Sequence, residues 1–206
     1  MLSTKEQLLT LFENNKGTYL SGEEIAEKLS ISRSAVWKAV NSLRNEGYSI
    51  DAVTNKGYSL SVKTDILSVQ GIQKYLKPNC SNLNIEVLPS LDSTNNFARE
   101  KAVLGMPEGY VVIANTQTNG KGRKGREFFS PSNTGIYMSL VLRPSYCSLK
   151  QATKLTTMAA VAVCEAIEIV SNEKGQIKWV NDVYVKGKKV CGILTEASLG
   201  LEDNFL

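Results

Sequence analysis

The stretch Gln117-Thr118-Asn119-Gly120-Lys121-Gly122-Arg123-Lys124-Gly125-Arg126-Glu127-Phe128-Phe129-Ser130-Pro131 sets four cations within six residues and interleaves them with glycines. Glycine lacks a Cβ and visits positive φ freely, so such a backbone can bend back and approach a ligand closely. Crowded cations repel one another unless an anion sits between them. A phosphate or carboxylate, held by guanidinium forks and backbone N–H groups, is the chemistry this pattern suits. A solvated basic loop would have the same composition. The balance shifts with a second element, Lys178-Trp179-Val180-Asn181-Asp182 through Lys186-Gly187-Lys188-Lys189-Val190-Cys191-Gly192-Ile193-Leu194-Thr195-Glu196.

Together with Leu91-Asp92-Ser93-Thr94-Asn95, these motifs resemble the biotin–protein ligases, and specifically the bifunctional ligase–repressors of bacteria. That family carries a GRGRRGR-W-SP type loop, a KWPND strand, a KLAGIL(V/T)E strand and an earlier LDSTN motif. The resemblance runs from about Leu8 to Glu196 and rests on four motifs in order.

The resemblance implies ATP-dependent activation of biotin to biotinyl-5′-AMP, then transfer to a lysine of the biotin carboxyl carrier protein of acetyl-CoA carboxylase. It assigns Ser93, Thr94, Asn95 and Gln117 to biotin's bicyclic head, whose ureido ring suits uncharged hydrogen-bonding groups. Asp92 or Ser93 could also cap the helix that follows. Lys121, Gly122 and Arg123 would wrap the carboxylate and the α-phosphate. Lys121 stands where the family most often has arginine, so the charge is kept but the planar fork is lost. Arg126 and Phe128 would order the loop over the ligand. Phe128 and Phe129 could equally be a hydrophobic anchor for the loop's end. Lys189 matches the catalytic lysine, which with Arg123 would neutralise charge at the α-phosphorus. Asn181 and Asp182 fall where nucleotide or Mg²⁺ contact is expected, with Asp182 the candidate metal ligand, although the pair also reads as a β-turn. Val180 replaces the family's proline, and Trp179 reads as core.

The chain has 206 residues, 42% apolar and 21% charged, with a net charge of +4. These are the proportions of ordinary globular proteins. The N-terminus has no apolar signal-peptide region, and the longest apolar run, Met158 to Cys164, is too short to span a bilayer. Cys80, Cys147, Cys164 and Cys191 are widely spaced without metal-type pairing, and read as reduced thiols of a cytoplasmic protein. No histidine is present, which excludes Ser-His and Cys-His catalysis and His-ligated metals. Adenylation survives that exclusion, because a carboxylate is already ionised near pH 7 and needs no general base.

The elements that must position these residues fall into two groups. Residues 1–63 read as a winged helix-turn-helix. Leu8, Leu9, Leu11 and Phe12 mark a first helix. Ser21-Gly22-Glu23-Glu24 has capping-box form, and Ser32 can cap a further helix whose Val36, Val40 and Leu43 face the core. Tyr48–Val53 and Gly57–Val62 alternate like strands around a Thr54-Asn55-Lys56-Gly57 turn. Arg33, Ser34, Trp37, Lys38 and Asn41, with Lys56 from the wing, are the candidates for operator DNA contact; Arg44 is assigned to the solvent side. Eight lysines and arginines against seven acids in residues 1–64 carry little of that reading, which comes from the family resemblance.

Lys63-Thr64-Asp65 reads as a linker, with a short helix around 66–76. In residues 64–206, strands around 85–89, 110–115, 135–143, 177–180, 183–185 and 190–195 alternate with helices around 93–104 and 151–170. Ile136, Met138, Leu140 and Leu142 share one strand face, and the last helix is apolar around much of its girth, hence buried. The fold class is α+β: a winged helix-turn-helix followed by an incomplete class II synthetase-like biotin ligase sandwich, helices on a largely antiparallel sheet. The resemblance implies that the remainder of the catalytic domain and a C-terminal SH3-like domain would follow Leu206, so this stretch alone is expected to show weak or no ligase activity. It also implies a homodimer when adenylate is bound. The rival readings are a lipoate or octanoate ligase of the same superfold, and a DNA-binding regulator that senses biotin or its adenylate without effective ligase activity.

Overall fold

The computed structural model describes residues 2–81, 83–143, 152–199 and 204–205. The chain divides into two compact units, Met1–Asn82 and Leu83–Leu206.

In the first unit, α1 (Thr4–Asn14), α2 (Gly22–Leu29) and α3 (Arg33–Asn45) precede a hairpin of β1 (Ile50–Val53) and β2 (Gly57–Leu60). The Ser21 hydroxyl accepts from the Glu24 amide at 3.1 Å while the Glu24 carboxylate accepts from the Ser21 amide, the reciprocal cap read from the sequence. Ser32 caps α3 through the Ala35 amide at 3.2 Å. A second box, Ser3 with Glu6, caps α1. Leu8, Phe12, Ile25, Val36, Val40, Leu43 and Leu60 are fully buried together. Each such side chain contributes about 1.5–3 kcal/mol, against about 0–1 kcal/mol for a surface pair such as Lys5–Glu46, so the core holds the unit. Leu20 and Tyr58 exchange two backbone hydrogen bonds of 2.9 Å, giving β2 a partner on its far side. Gly57 makes this possible: its φ is +97°, and a Cβ there would lie 2.1 Å from the Leu20 carbonyl oxygen. Arg44 is not free in solvent. Its Nε and Nη2 donate to the Ile50 carbonyl at 3.0 and 2.6 Å, tying α3 to the wing.

The first unit extends past the expected boundary at residue 63. Helix α4 (Val69–Gln73), shorter than the expected 66–76, is capped by Ser68 and packs on α1. Lys74 Nζ lies 2.8 Å from Glu13 Oε2 and donates to the Glu13 carbonyl at 3.2 Å. Glu13 is buried. A buried carboxylate needs a cation, and the nearest comes from beyond the expected linker, which is why composition alone misplaces the boundary.

In the second unit, β3 (Asn84–Leu88) runs parallel to β4 (Tyr110–Ala114), which is antiparallel to β5 (Tyr137–Leu140). Helix α5 (Thr94–Val103) packs on β4 and β5. After α6 (Ala152–Ser171) comes an antiparallel sheet of β6 (Gln176–Lys178), β7 (Asp182–Val185) and β8 (Lys188–Gly192). Lys186 and Gly187, at φ +48° and +75°, make the tight turn between β7 and β8. A short antiparallel pair, β9 (Ser198–Leu199) and β10 (Asn204–Phe205), completes the described elements. Gln151, expected to begin the long helix, and Cys147 lie outside the described residues.

The structure says which face of β5 is covered, and it corrects two expectations about burial. On β5 and its flanks the buried residues are Tyr137, Ser139 and Val141, while Ile136, Met138 and Leu140 are exposed. The inward face is polar at Ser139 because it meets the start of α5. Helix α6 buries one stripe, Leu155, Thr156, Ala160 and Cys164, while Met158, Val161, Ile169 and Val170 are exposed. Its contacts among the described strands are with β6 and β7, so one face is covered rather than most of the girth. Trp179 is 74% exposed in the turn before β7, not core. No helix among the described residues is long and apolar enough to cross a membrane.

Candidate functional site

The polar end of the site is built where two segments run side by side. Thr118 and Asn119 donate their amides to the Leu91 and Asp92 carbonyls, each at 2.8 Å. This brings the Gln117 side chain to the start of α5. Its Oε1 accepts from the Thr94 amide at 2.8 Å and from the Thr94 hydroxyl at 3.0 Å, while its Nε2 donates to Ser130 Oγ at 2.9 Å. The Ser130 hydroxyl in turn donates to the Phe128 carbonyl at 2.7 Å. A glutamine from a distant strand end thus caps α5. Ser93 is the N-cap residue, yet makes no side-chain cap, which corrects that part of the sequence reading.

Ser139 on β5 completes the cluster. Its hydroxyl lies 2.9 Å from Thr94 Oγ1 and within reach of Asn95 Oδ1, and its single proton can serve one of them at a time. Asn95 Nδ2 donates to Glu196 Oε2 at 3.0 Å and to the Leu194 carbonyl at 3.4 Å, and Glu196 also pairs with Arg99 at 2.9 Å. Thr94, Asn95 and Gln117 are therefore largely satisfied within the protein. Ser93 differs: it is 1% exposed, lines the cavity, and makes no side-chain cap to the helix it begins. Ser139, Ser130 and Glu196 were not assigned site roles from the sequence, since their partners lie up to about a hundred residues away.

The glycine-rich loop folds onto itself. Lys121 bridges Glu127, and the Gly122 amide donates to the Arg126 carbonyl at 2.7 Å. Gly120 admits no side chain, because a Cβ there would sit 2.3 Å from the Phe128 carbonyl oxygen and 2.6 Å from Ser130 Oγ. Lys121 Nζ donates to Asn96 Oδ1 at 2.6 Å, and Asn96 donates to Asp92 Oδ2 at 2.6 Å. That hydrogen bond, helped by backbone amides and the Lys121 charge, holds the Asp92 carboxyl below its ordinary range. Lys124 and Arg126 are exposed and form no ion pair among the described residues. Arg126 therefore joins the loop through its backbone. Phe129 is 81% exposed, so only the half-buried Phe128 can anchor the loop's end.

The lysine hairpin meets this loop. Arg123 Nη1 donates to Asn181 Oδ1 at 2.9 Å, and Asn181 Nδ2 donates to Asp182 Oδ1 at 3.1 Å. Lys189 Nζ lies 2.8 Å from the same Asp182 oxygen. A Cβ on Gly192 would be 3.2 Å from Lys189 Nζ and 3.2 Å from the Phe128 ring, so the bare glycine lets both close over it. Gly192, Phe128, Lys121, Ser93, Thr94, Asn95 and Gln117 share the lining of a cavity of about 580 Å³, whose apolar wall includes Met138 and Leu140. Burial raises the thiol pKa of Cys191 on β8 and of Cys164 beneath it, leaving both as protonated, weakly reactive groups.

No group of three His, Cys, Asp or Glu side chains suited to a metal exists among the described residues, and the Asp182 oxygen is already held by Lys189 and Asn181. In the first unit Arg33, Ser34, Trp37, Lys38 and Lys56 are exposed and Asn41 is half-buried. Trp37 is a large aromatic left 58% exposed on α3.

Comparison with known proteins adds an independent line. Residues 87–202 match the biotin/lipoate A/B protein ligase family, and residues 4–59 match an HTH domain. The chain is 41% identical over 192 residues to the bifunctional ligase/repressor BirA of Bacillus subtilis, covering 93% of this chain and 59% of that protein. Against the bifunctional ligase/repressor BirA of Escherichia coli it is 32% identical over 194 residues, covering 92% and 57%. The structure of biotin protein ligase from Aquifex aeolicus in complex with biotin and ATP is similar at a TM-score of 0.50 and 32% identity, over 59% of this chain and 49% of that one. The chain thus spans less than two thirds of the length of these relatives.

Proposed function

Because the chain belongs to the biotin/lipoate A/B protein ligase family, we propose that its second unit activates biotin with ATP to biotinyl-5′-AMP and transfers it to a lysine of a biotin carboxyl carrier protein, while its first unit binds operator DNA as a biotin-dependent repressor. The observation that carries the ligase half is one cavity whose lining joins Ser93, Thr94, Asn95 and Gln117 to an apolar wall and to Lys121. The hydroxyl and amide groups of Ser93, Thr94, Asn95 and Gln117 suit a ureido ring, the wall suits an aliphatic chain, and Lys121 in the lining, with Arg123 and Lys189 on the adjoining loop and hairpin, suits a carboxylate meeting an α-phosphate. A dithiolane or a plain acyl chain offers no ureido group to these hydroxyls and amides, and the Aquifex aeolicus relative is a biotin protein ligase, which favours biotin over lipoate or octanoate.

In this reading the biotin carboxylate attacks the α-phosphorus of ATP. The new O–P bond forms as the bond to pyrophosphate breaks. Lys189 and Arg123 offset the charge gathering on the phosphoryl oxygens, and no proton need be removed from the nucleophile. The acceptor lysine's amine then attacks the mixed anhydride, and AMP leaves with its bonding pair. Magnesium would enter with ATP and offset phosphate charge, and no step is assigned to a protein-held metal.

When acceptor is scarce, the adenylate-bound chain is proposed to dimerise and occupy the operator through α3 and the wing, with ordering of the 117–131 loop as the switch. The test is operator binding by fluorescence anisotropy, with and without biotin plus ATP. Affinity that rises with both ligands supports the coupling, and affinity indifferent to them contradicts it.

A further inference from the structure

We propose that Asn181 is a positioning residue that couples the glycine-rich loop to Lys189, an inference that rests on the ligase reading above. The geometry is a continuous chain of four side chains. Arg123 Nη1 reaches Asn181 Oδ1 at 2.9 Å, Asn181 Nδ2 reaches Asp182 Oδ1 at 3.1 Å, and Lys189 Nζ reaches that same oxygen at 2.8 Å. Two cations, one from the loop and one from β8, are thereby joined through an amide and a carboxylate.

The residue type at 181 follows from what lies on either side. A side chain that accepts from a guanidinium and donates to a carboxylate must carry an acceptor and a donor at one branch point, which a carboxamide does. Aspartate would accept from Arg123 but place like charge against Asp182. Leucine would fill the same space and do neither. The backbone at 181 is also pinned, because its carbonyl accepts from the Ile193 amide at 2.8 Å across the end of β8. The amide is thus offered to the loop from a fixed turn.

The consequence is that the loop's position bears on the orientation of Lys189. With Arg123 docked, Asn181 holds the near side of Asp182, and the Asp182 oxygen fixes the ammonium. With the loop away, Asn181 loses its acceptor partner and Asp182 can rotate with Lys189. Lys189 is 44% exposed and Asp182 21%, so each link is modest, and their effect on rate comes from orientation rather than from tight binding.

The test is a double-mutant cycle on the single-turnover rate of biotinyl-5′-AMP formation, measured in the full chain at saturating biotin and ATP with Arg123→Ala, Asn181→Ala and the double variant. Asn181→Ala is expected to slow the step roughly tenfold, as for loss of one charge-assisted hydrogen bond at a half-exposed site, with biotin's own binding unchanged. The double variant is expected to be no more than about twofold slower than Arg123→Ala, since both remove the same link. Asn181→Asp is expected to lose as much as Asn181→Ala despite keeping an acceptor for Arg123. Effects that multiply in the double variant, or full activity in Asn181→Asp, overturn the coupling and leave Asn181 as a separate nucleotide contact. A wild-type chain that forms no biotinyl-5′-AMP removes the ligase reading itself, and the coupling with it.

Discussion

The carboxamide oxygen of Gln117 accepts both the amide and the hydroxyl of Thr94, at 2.8 and 3.0 Å, so a side chain at the end of one strand closes the first turn of a helix that begins more than twenty residues earlier. The amide nitrogen of the same glutamine holds Ser130. Replacing Gln117 by leucine removes the cap and leaves Thr94 and Ser130 short of partners. The expected cost is about 1–2 kcal/mol in stability, as for loss of a helix cap, measured by urea unfolding. Biotin affinity is expected to fall roughly tenfold in calorimetry, because the floor of the cavity loses its shape. Unchanged affinity would mean this cluster is structural alone.

Gly120 is the tightest point of the loop. Alanine there would force a methyl to 2.3 Å from the Phe128 carbonyl oxygen and 3.1 Å from Gln117 Nε2, so the loop must lift. Gly125, where a Cβ would meet nothing within 4 Å, is a control for spacing but not for backbone, since its φ is +72°. Gly120→Ala is expected to weaken biotin binding by roughly tenfold or more and to cost about 1–3 kcal/mol as overpacking. Titration of biotin alone, without ATP, reads this effect directly.

Much of the first unit was legible because its signals are local. The Ser21–Glu24 box, the Ser32 cap and the Val36–Val40–Leu43 stripe lie within a few residues of each other, where sequence periodicity and capping chemistry act. Of the residues that the family motifs group, Ser93, Thr94, Asn95, Gln117, Lys121 and Phe128 share one cavity lining, while Gly122, Arg123 and Lys189 lie outside it. What was not legible depends on partners far along the chain. Nothing near Lys74 announces that Glu13 is its counter-ion, and nothing near Ser139 announces Thr94 and Asn95. Alternation separates the two faces of β5 without saying which is covered, so the exposure of Met138 and Leu140 is not legible from it. Trp179 failed because an indole in a turn was weighed by its hydrophobicity alone.

The Glu13–Lys74 pair makes a stability prediction that separates buried from exposed charge. Lys74→Met leaves a buried carboxylate to the more distant Lys16, 4.0 Å away, and is expected to destabilise the first unit by about 1–3 kcal/mol. Lys5→Met, which breaks the exposed pair with Glu46, is expected to change stability by no more than about 0.5 kcal/mol. Urea midpoints of the two variants decide between them, and equal effects would contradict the assignment of α4 to this unit.

Stability is expected to be flat between about pH 5 and pH 8. The chain has no histidine to titrate there. Asp92 has a lowered pKa, so its contribution is present above the unfolded value near 3.9 and is lost as pH falls through the folded value. Burial raises the Cys164 and Cys191 thiols, burial and the Glu86 hydrogen bond raise Tyr110, and Glu13 raises Lys74. Raised groups contribute stability that is complete below their unfolded values and is lost as pH climbs toward the folded ones, so the decline begins above about pH 8.5 with the thiols and steepens above about 10. Tyr110→Phe should soften the later phase. A slope between pH 5 and 8 in urea midpoints would contradict this arrangement.

The most direct measurement is formation of biotinyl-5′-AMP from biotin and ATP by the purified chain, comparing wild type with Lys189→Ala by mass spectrometry after a single turnover. The account predicts that wild type forms the adenylate from biotin in preference to lipoate or octanoate, and that Lys189→Ala is slower by about 10²–10³-fold, the usual loss for one preorganised electrostatic donor. Equal rates in the two proteins, or an adenylate formed from lipoate rather than biotin, would contradict it.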